Sequence, residues 1–263
     1  MNDAPVLFDR RGQVGLITLN RPDNRNSMTP ELLGEFAAVV ARVRGEAEVR
    51  CVVITGTGRC FSAGADFRSD IQRSDKARPM QSHERSYAIY EPFLSVLDIE
   101  VPVIAALNGH AVGGGFGLAL MCDLRIANLE SKYGANFTRL GLHPGMAISY
   151  LLPRLIGVAR AADLLFTGRL VLGDEAERMG LVSAAVPGEQ VLDRAMEMAQ
   201  SIADNAPIAV RMTKRSLYES LGWDPRQAAF REAFAQAVTL DTSDVEEGVA
   251  ALLDKRKPVF RGE

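Results

Sequence analysis

The sequence predicts an α/β fold in which buried parallel strands alternate with helices, followed by a tail that is helical throughout. Apolar runs at residues 51–55, 103–107 and 124–127 are strand-length, and Gly56 and Asn108-Gly109 stop the first two, so they read as strands buried on both faces. Helical patterns lie between them, which is the signature of a parallel sheet with crossover helices. After about residue 186 no strand signal appears.

Taken in order, Val14-Gly15-Leu16-Ile17-Thr18-Leu19 reads as a strand that ends at Asn20-Arg21-Pro22-Asp23. A helix follows, with Thr29 as N-cap, Pro30 in the first helical position and one stripe made of Leu32, Leu33, Phe36, Val39, Val40 and Val43. The segment 68–90 is polar, rich in Arg, Ser and Asp, and offers no obvious core, so a mobile flap or a loosely packed helix is expected there. Residues 114–121 suit a short helix. In the tail, Val191, Leu192, Ala195, Ala199 and Ile202 form one stripe, and Phe230, Ala233, Phe234, Ala237 and Val238 form a cleaner one. Ser243-Asp244-Val245-Glu246 has the pattern of a capping box opening the last helix. Helices this short bury little among themselves and need the core or a neighbouring subunit to cover them.

The chain has 263 residues, 30 Lys+Arg against 33 Asp+Glu, 47% hydrophobic and 24% charged residues. Those values exclude a disordered chain and argue against nucleic acid as the main partner. The length suits a core at 1–190 with a helical oligomerisation region at 191–263. The three cysteines, Cys51, Cys60 and Cys122, have no metal-like spacing and point to a reduced, cytoplasmic setting. Residues 101–122 are uncharged, but Asn108-Gly109-His110 and Gly113-Gly114-Gly115 interrupt them, so no membrane span is expected. No metal site is expected either: His83-Glu84-Arg85-Ser86-Tyr87 lacks the second histidine of a zinc motif. Gly56-Thr57-Gly58-Arg59 lacks the Lys-Ser/Thr of a phosphate loop, and the glycines of 109–117 lack dinucleotide spacing, which leaves a nucleotide-dependent oxidoreductase weakly supported.

Two glycine-rich segments carry the chemistry: residues 61–67, Phe-Ser-Ala-Gly-Ala-Asp-Phe, and residues 108–117, from Asn108 to Gly117. Each places small residues where backbone must come close to something. A helix N-terminus opened by glycines presents unpaired N–H groups and the positive end of a dipole, which suits an oxyanion. Either segment alone is better explained as a tight turn that lets a helix pack on a strand; facing each other, the two would hold one oxygen from both sides.

With these motifs the chain resembles the crotonase, or enoyl-CoA hydratase/isomerase, superfamily. The resemblance rests on residues 17–22, 62–66, 103–115, Met121-Cys122-Asp123, 164–168 with 176–182, and the closing Lys255-Arg256-Lys257-Pro258-Val259-Phe260. It implies a spiral of ββα units with a C-terminal helical trimerisation region, in a homotrimer or dimer of trimers. The substrate it implies is an acyl-CoA thioester, with coenzyme A as part of that substrate and no tightly bound cofactor. By match, the N–H groups of Ala65 and Gly114 form an oxyanion hole that stabilises an enolate. Coenzyme A contacts carried over are Ala63, Gly64, Asp66 and Phe67 for adenine and Arg25 for phosphate, with Lys257 and Phe260 added, in part from a neighbouring subunit.

The chain departs from the family at the acids. Two carboxylates deliver water in a hydratase of this family, at the positions of Gly117 and Phe137, and a third acid used by some isomerases aligns with Gly145. Glycine and phenylalanine move no proton. His143 is therefore the candidate replacement acid–base group, because histidine titrates near neutrality, although a turn residue bonded to backbone explains it slightly better. Asn136 and Arg139 are candidates to orient substrate or water, and Phe116, Gly117 and Phe137 to line the acyl pocket. His83, Tyr87, Tyr90 and Glu91 lie in the segment that by resemblance borders that pocket, where surface or wall roles outweigh catalytic ones. His110 is expected to be structural. Two functions remain: an acyl-CoA lyase or isomerase with non-standard proton-transfer groups, or an acyl-CoA-binding protein that has lost the chemistry.

Overall fold

Residues 3–65 and 82–263 are described by the computed structural model. The chain opens with an antiparallel hairpin, Val6–Arg11 (β1) and Val14–Leu19 (β2), turning at Gly12 with φ +62°. The first of these strands gave no clear sequence signal: its last three residues are exposed and charged. Helix α1 (Pro30–Arg44) starts as expected, with Thr29 Oγ1 accepting the Leu32 N–H at 3.2 Å and all six stripe residues buried.

Three large-sheet strands follow, β3 (Cys51–Gly56), β5 (Val103–Leu107) and β7 (Leu124–Asn128). Each is succeeded by a short strand of a second sheet: β4 (Cys60–Ser62), β6 (His110–Val112) and β8 (Lys132–Gly134). With β9 (Val171–Leu172) and β10 (Ala184–Val186), the orders are β1-β2-β3-β5-β7-β10 and β4-β6-β8-β9. From β2 through β10 the larger sheet is parallel, as the apolar runs predict. The repeated strand–strand–helix unit is thus the architecture that the family resemblance implies.

Alternation along the strands divides the interior. Val52 and Ile54 face one cluster with Phe36 and Val40 of α1, whereas Cys51 and Val53 face another with Val191, Ala195, Ala199 and Ala203. Those four belong to α7 (Val191–Ala203), whose small alanines let it lie directly on the sheet.

The remaining helices are α2 (Ser82–Leu94), α3 (Gly114–Met121), α4 (Ile148–Ile156), α5 (Val158–Thr167) and α6 (Gly173–Arg178). The tail adds α8 (Pro207–Glu219), α9 (Pro225–Leu240) and α10 (Ser243–Leu253). Of the segment expected to be a flap or loose helix, residues 68–81 lie outside the described residues. The rest is α2, with residues 83–89 exposed and Phe93 fully buried edge-to-face on Phe36, centroids 4.9 Å apart.

The stripe on α9 is present, but no α9 residue is buried, and Phe230 and Phe234 stand 66% and 60% exposed. The capping box expected at Ser243 does not form. Thr242 is the N-cap, and the Ser243 hydroxyl donates instead to the Glu263 carbonyl at 3.0 Å, because the C-terminal segment folds back over this helix end. The capping box lies one helix earlier, where Asp224 accepts the Arg226 and Gln227 N–H groups and Gln227 reaches back to the Asp224 N–H.

Candidate active site

The two glycine-rich segments meet because their strands pair. Strand β4 runs parallel to β6, Cys60 opposite His110 and Ser62 opposite Ala111, so the turns that leave the two strands emerge side by side. Gly64 adopts φ +80°, and a Cβ there would stand 2.7 Å from both the Gly114 nitrogen and the Val112 carbonyl oxygen. Only glycine permits this approach. A Cβ on Gly114 would in turn collide with the Met28 sulfur and lie 3.6 Å from the Gly64 Cα.

These turns present N–H groups without competing acceptors. Gly113 donates to the Gly134 carbonyl at 3.0 Å, tying the turn to β8. Gly114 opens α3, so its N–H has no acceptor one turn back. Ala65 pairs with Met28 in a parallel bridge in which Met28 donates to the Gly64 carbonyl; among the described residues no acceptor takes the Ala65 N–H.

Buried side chains lock the Ala65 turn. The Ser62 hydroxyl donates to the Asn26 carbonyl at 2.8 Å and accepts the Gly64 N–H at 3.2 Å. Asn26 is fully buried at φ +52°; its Oδ1 accepts the Arg21 N–H at 2.7 Å, and its Nδ2 donates to the Thr57 and Cys60 carbonyls at 3.0 and 2.9 Å. Ala63 donates to the Arg25 carbonyl at 3.0 Å. Sequence reasoning missed Asn26, although a polar residue after Arg-Pro-Asp-Asn-Arg with tolerance for a left-handed backbone is the signal that finds it.

The Gly114 turn is held from the far end of its helix. The buried Arg125 guanidinium donates to the Ala119, Cys122 and Leu181 carbonyls at 3.3, 2.6 and 2.8 Å, which places positive charge at the α3 C-terminus. Beside it, Asp123 accepts the Val103 N–H at 2.6 Å, Lys214 Nζ at 2.8 Å and Tyr218 Oη at 2.6 Å, joining α8 to the core; burial, first, and the Asp123 charge raise the Tyr218 phenol well above its ordinary value. His110 anchors the adjoining strand: its Nδ1 accepts the Lys132 N–H at 3.0 Å, and burial, then the Lys132 and Arg25 charges, lower its pKa.

A cavity of about 500 Å³ opens beside the paired turns, lined by Arg25, Ala63, Ala65, Gly114, Asn136 and Phe137 among others. Asp23 supplies a carboxylate to the same lining, exposed in the 3-10 turn Pro22–Asn24. The other sequence-selected residues divide as follows. Gly64 is buried behind the turn; Asp66 and Phe67 lie outside the described residues. Phe116 is a core residue, 1% exposed. Arg139 donates from Nε to the Thr167 carbonyl at 3.0 Å and so fastens its segment to the end of α5. His143 is exposed, with Nδ1 2.8 Å from the Pro144 carbonyl oxygen, and is not part of the cavity lining. Lys257 bonds Asp204 at 2.5 Å, and Phe260 packs at Gly248 of α10, both outside that lining.

At Gly117, a Cβ would collide with the Cβ of Met146, which is 1% exposed and held at φ +59°. At Gly145 it would collide with the Tyr90 phenol, whose Cζ would be 2.6 Å away. Phe137 is half-buried, its ring 3.8 Å from a Cβ placed on Gly113.

Comparison with known proteins agrees with this architecture. The Enoyl-CoA hydratase/isomerase family profile matches residues 9–263. The chain is 37% identical over 264 residues to the putative enoyl-CoA hydratase/isomerase YngF of Bacillus subtilis, covering all of both chains. It is 39% identical over 261 residues to the probable enoyl-CoA hydratase EchA12 of Mycobacterium tuberculosis, covering 95% of this chain and 90% of that one. Its fold superposes on the crystal structure of an enoyl-CoA hydratase from Bacillus anthracis with a TM-score of 0.91 at 35% identity, covering 98% of this chain and 100% of that one. With the spiral of strand–strand–helix units and the paired turns already in place, the chain belongs to the enoyl-CoA hydratase/isomerase family, the crotonase superfamily.

Proposed function

We propose that the protein acts on an acyl-CoA thioester by holding its carbonyl oxygen between the Ala65 and Gly114 N–H groups, and that the reaction is not the two-carboxylate hydration. The single observation that carries this reading is the approach of the two turns, enforced at Gly64 and Gly114, beside a cavity wide enough for a thioester. When a proton leaves the α-carbon, negative charge moves to that oxygen. Backbone donors already aimed there stabilise it without reorganising, at about 3–4 kcal/mol per donor. Arg25 lines the same cavity, which supports a contact of its guanidinium with a phosphate of the coenzyme.

The proton-transfer step is what sets this chain apart. The positions that carry the family's acids hold Gly117, Phe137 and Gly145, and Met146 and Tyr90 occupy the space beside both glycines. An isomerase or lyase using other groups fits these residues; a binding protein without turnover is the second reading. It is favoured by the cavity lining, where Asp23 is the one carboxylate among the described residues. The proposal extends to a cytoplasmic protein that assembles as a homotrimer or dimer of trimers, supported by the uncovered stripe on α9.

The test pairs calorimetric binding of a short series of enoyl-CoA and acyl-CoA thioesters with absorbance at the enoyl-thioester band. Binding with turnover supports an enzyme, and binding alone supports the carrier. Absence of binding by every thioester overturns both.

A further inference from the structure

The polar side chains that line the cavity fall on two sides of the paired turns. On one side lies the segment 23–27, joined to the first turn where Ala63 donates to the Arg25 carbonyl at 3.0 Å. Its Ser27 hydroxyl is already engaged, donating to the Asn24 carbonyl at 2.6 Å. On the other side, Gly113 precedes the Gly114 donor and faces a different wall. A Cβ on Gly113 would stand 3.9 Å from Asn136 Oδ1 and 3.8 Å from Phe137 Cζ. Asn136, Phe137 and Leu140 line the cavity there, from the 3-10 turn Phe137–Leu140 and the residue before it, so Asn136 is the polar member of that wall. Its half-buried carboxamide does not cap the turn it precedes and takes no hydrogen-bond partner among the described residues. Arg139, the other group expected to orient substrate from this segment, is tied to the Thr167 carbonyl.

We propose that Asn136 is a specificity-determining residue: its carboxamide hydrogen-bonds a hydroxyl or oxo oxygen on the acyl group, close to the thioester carbonyl, and selects such thioesters over alkyl ones of the same length. This rests on the acyl-CoA reading above. A thioester whose oxygen sits between Ala65 and Gly114, with its coenzyme towards Arg25, directs its acyl group past Gly113 towards Asn136 and Phe137. The carboxamide offers two N–H donors and one acceptor oxygen, so it pairs with either kind of oxygen, and it transfers no proton. Its contribution is therefore to hold the chain in place. An alkyl chain leaves the amide to water, and a site that hydrogen-bonds its ligand disfavours the analogue that lacks the group.

Calorimetric binding to wild type, Asn136→Leu and Asn136→Asp tests this with 3-hydroxybutyryl-CoA and 3-oxobutyryl-CoA as probes, and butyryl-CoA and free coenzyme A as controls. Asn136 has an ordinary backbone, φ −84° and ψ 18°, and its side chain caps nothing, so both variants are expected to keep native circular dichroism. Wild type is expected to bind both probes about threefold to tenfold more tightly than butyryl-CoA. Asn136→Leu is expected to remove that preference while leaving both controls within about twofold. Asn136→Asp keeps an acceptor and loses the donors, so 3-oxobutyryl-CoA is expected to weaken more than 3-hydroxybutyryl-CoA, whose hydroxyl can donate. If wild type shows no preference, if Asn136→Leu retains it, or if that variant weakens butyryl-CoA as much as the probes, the proposal is overturned while the acyl-CoA reading stands. Undiminished binding of 3-oxobutyryl-CoA by Asn136→Asp overturns it too. If wild type binds none of the three thioesters, the acyl-CoA reading fails and takes this one with it.

Discussion

The paired turns and the packing around Gly117 and Gly145 are built on opposite principles. At the paired turns, backbone does the work: Ala65 and Gly114 offer N–H groups, and their positions are set by strand pairing, by a fully buried asparagine and by close contacts that only glycine allows. Around Gly117 and Gly145, outside the cavity lining, side chains define the packing: Met146 and Tyr90 fill the volume beside the two glycines, while the Phe137 ring borders the cavity next to Gly113. The contrast teaches that the proposed charge stabilisation rests on main chain, which is separable from the side-chain packing beside it. Fixed main-chain dipoles suit an oxygen that every thioester carries.

Breaking the main-chain end should give the largest effect. Ala65→Pro removes one donor and distorts the turn, so butyryl-CoA binding is expected to vanish in calorimetry while circular dichroism stays native; normal affinity would disprove the oxyanion assignment. Next comes Asn26→Ala, which leaves the Thr57 and Cys60 carbonyls and the Arg21 N–H without their partner. A loss of about 2–4 kcal/mol in urea unfolding is expected, and less than 1 kcal/mol would mean that the turn holds itself.

The side-chain packing is tested by Gly117→Ala. Its methyl drives into Met146, and about 1–3 kcal/mol of destabilisation is expected from overpacking. Adding Met146→Gly, at a residue already in the left-handed region, should recover part of that loss in a double-mutant cycle. Additive effects would show that the two positions do not share the space.

The smallest expected effect returns to the main-chain end. The folded pKa of His110 lies below its unfolded value, so its contribution to stability is present above the unfolded pKa near 6.5 and is lost as pH falls towards the folded value. His110→Gln is therefore expected to flatten the fall in Tm between pH 7 and 5 by roughly 1–2 °C. An unchanged slope would remove His110 from the acid response.

Much of this was legible in the residues. Thr29, Pro30 and the α1 stripe specify their helix locally, and the apolar runs at β3, β5 and β7 can satisfy their faces only inside a parallel sheet. The tail shows where local pattern stops. The stripes on α7 and α9 read alike, yet α7 is buried on the sheet whereas no residue of α9 is buried, because a stripe specifies that a face is apolar and not which surface meets it. Ser243 fails as a cap for a similar reason: the C-terminal residues, far along the chain, take its hydroxyl.

The sequence by itself determined the buried parallel strands alternating with helices and the two glycine-rich turns, since these follow from residue type and local spacing, whereas the strand–strand–helix spiral and the alignment of the family's acids with Gly117, Phe137 and Gly145 were implied by the family resemblance. Only the tertiary structure decided that Met146 fills the space over Gly117, that Tyr90 lies over Gly145 and that His143 turns to its neighbour's carbonyl away from the cavity lining. These are contacts between separate segments, and Met146 reaches its place through a left-handed backbone that its residue type does not announce. Packing sets which side chain occupies a shared volume, and no single segment carries that information.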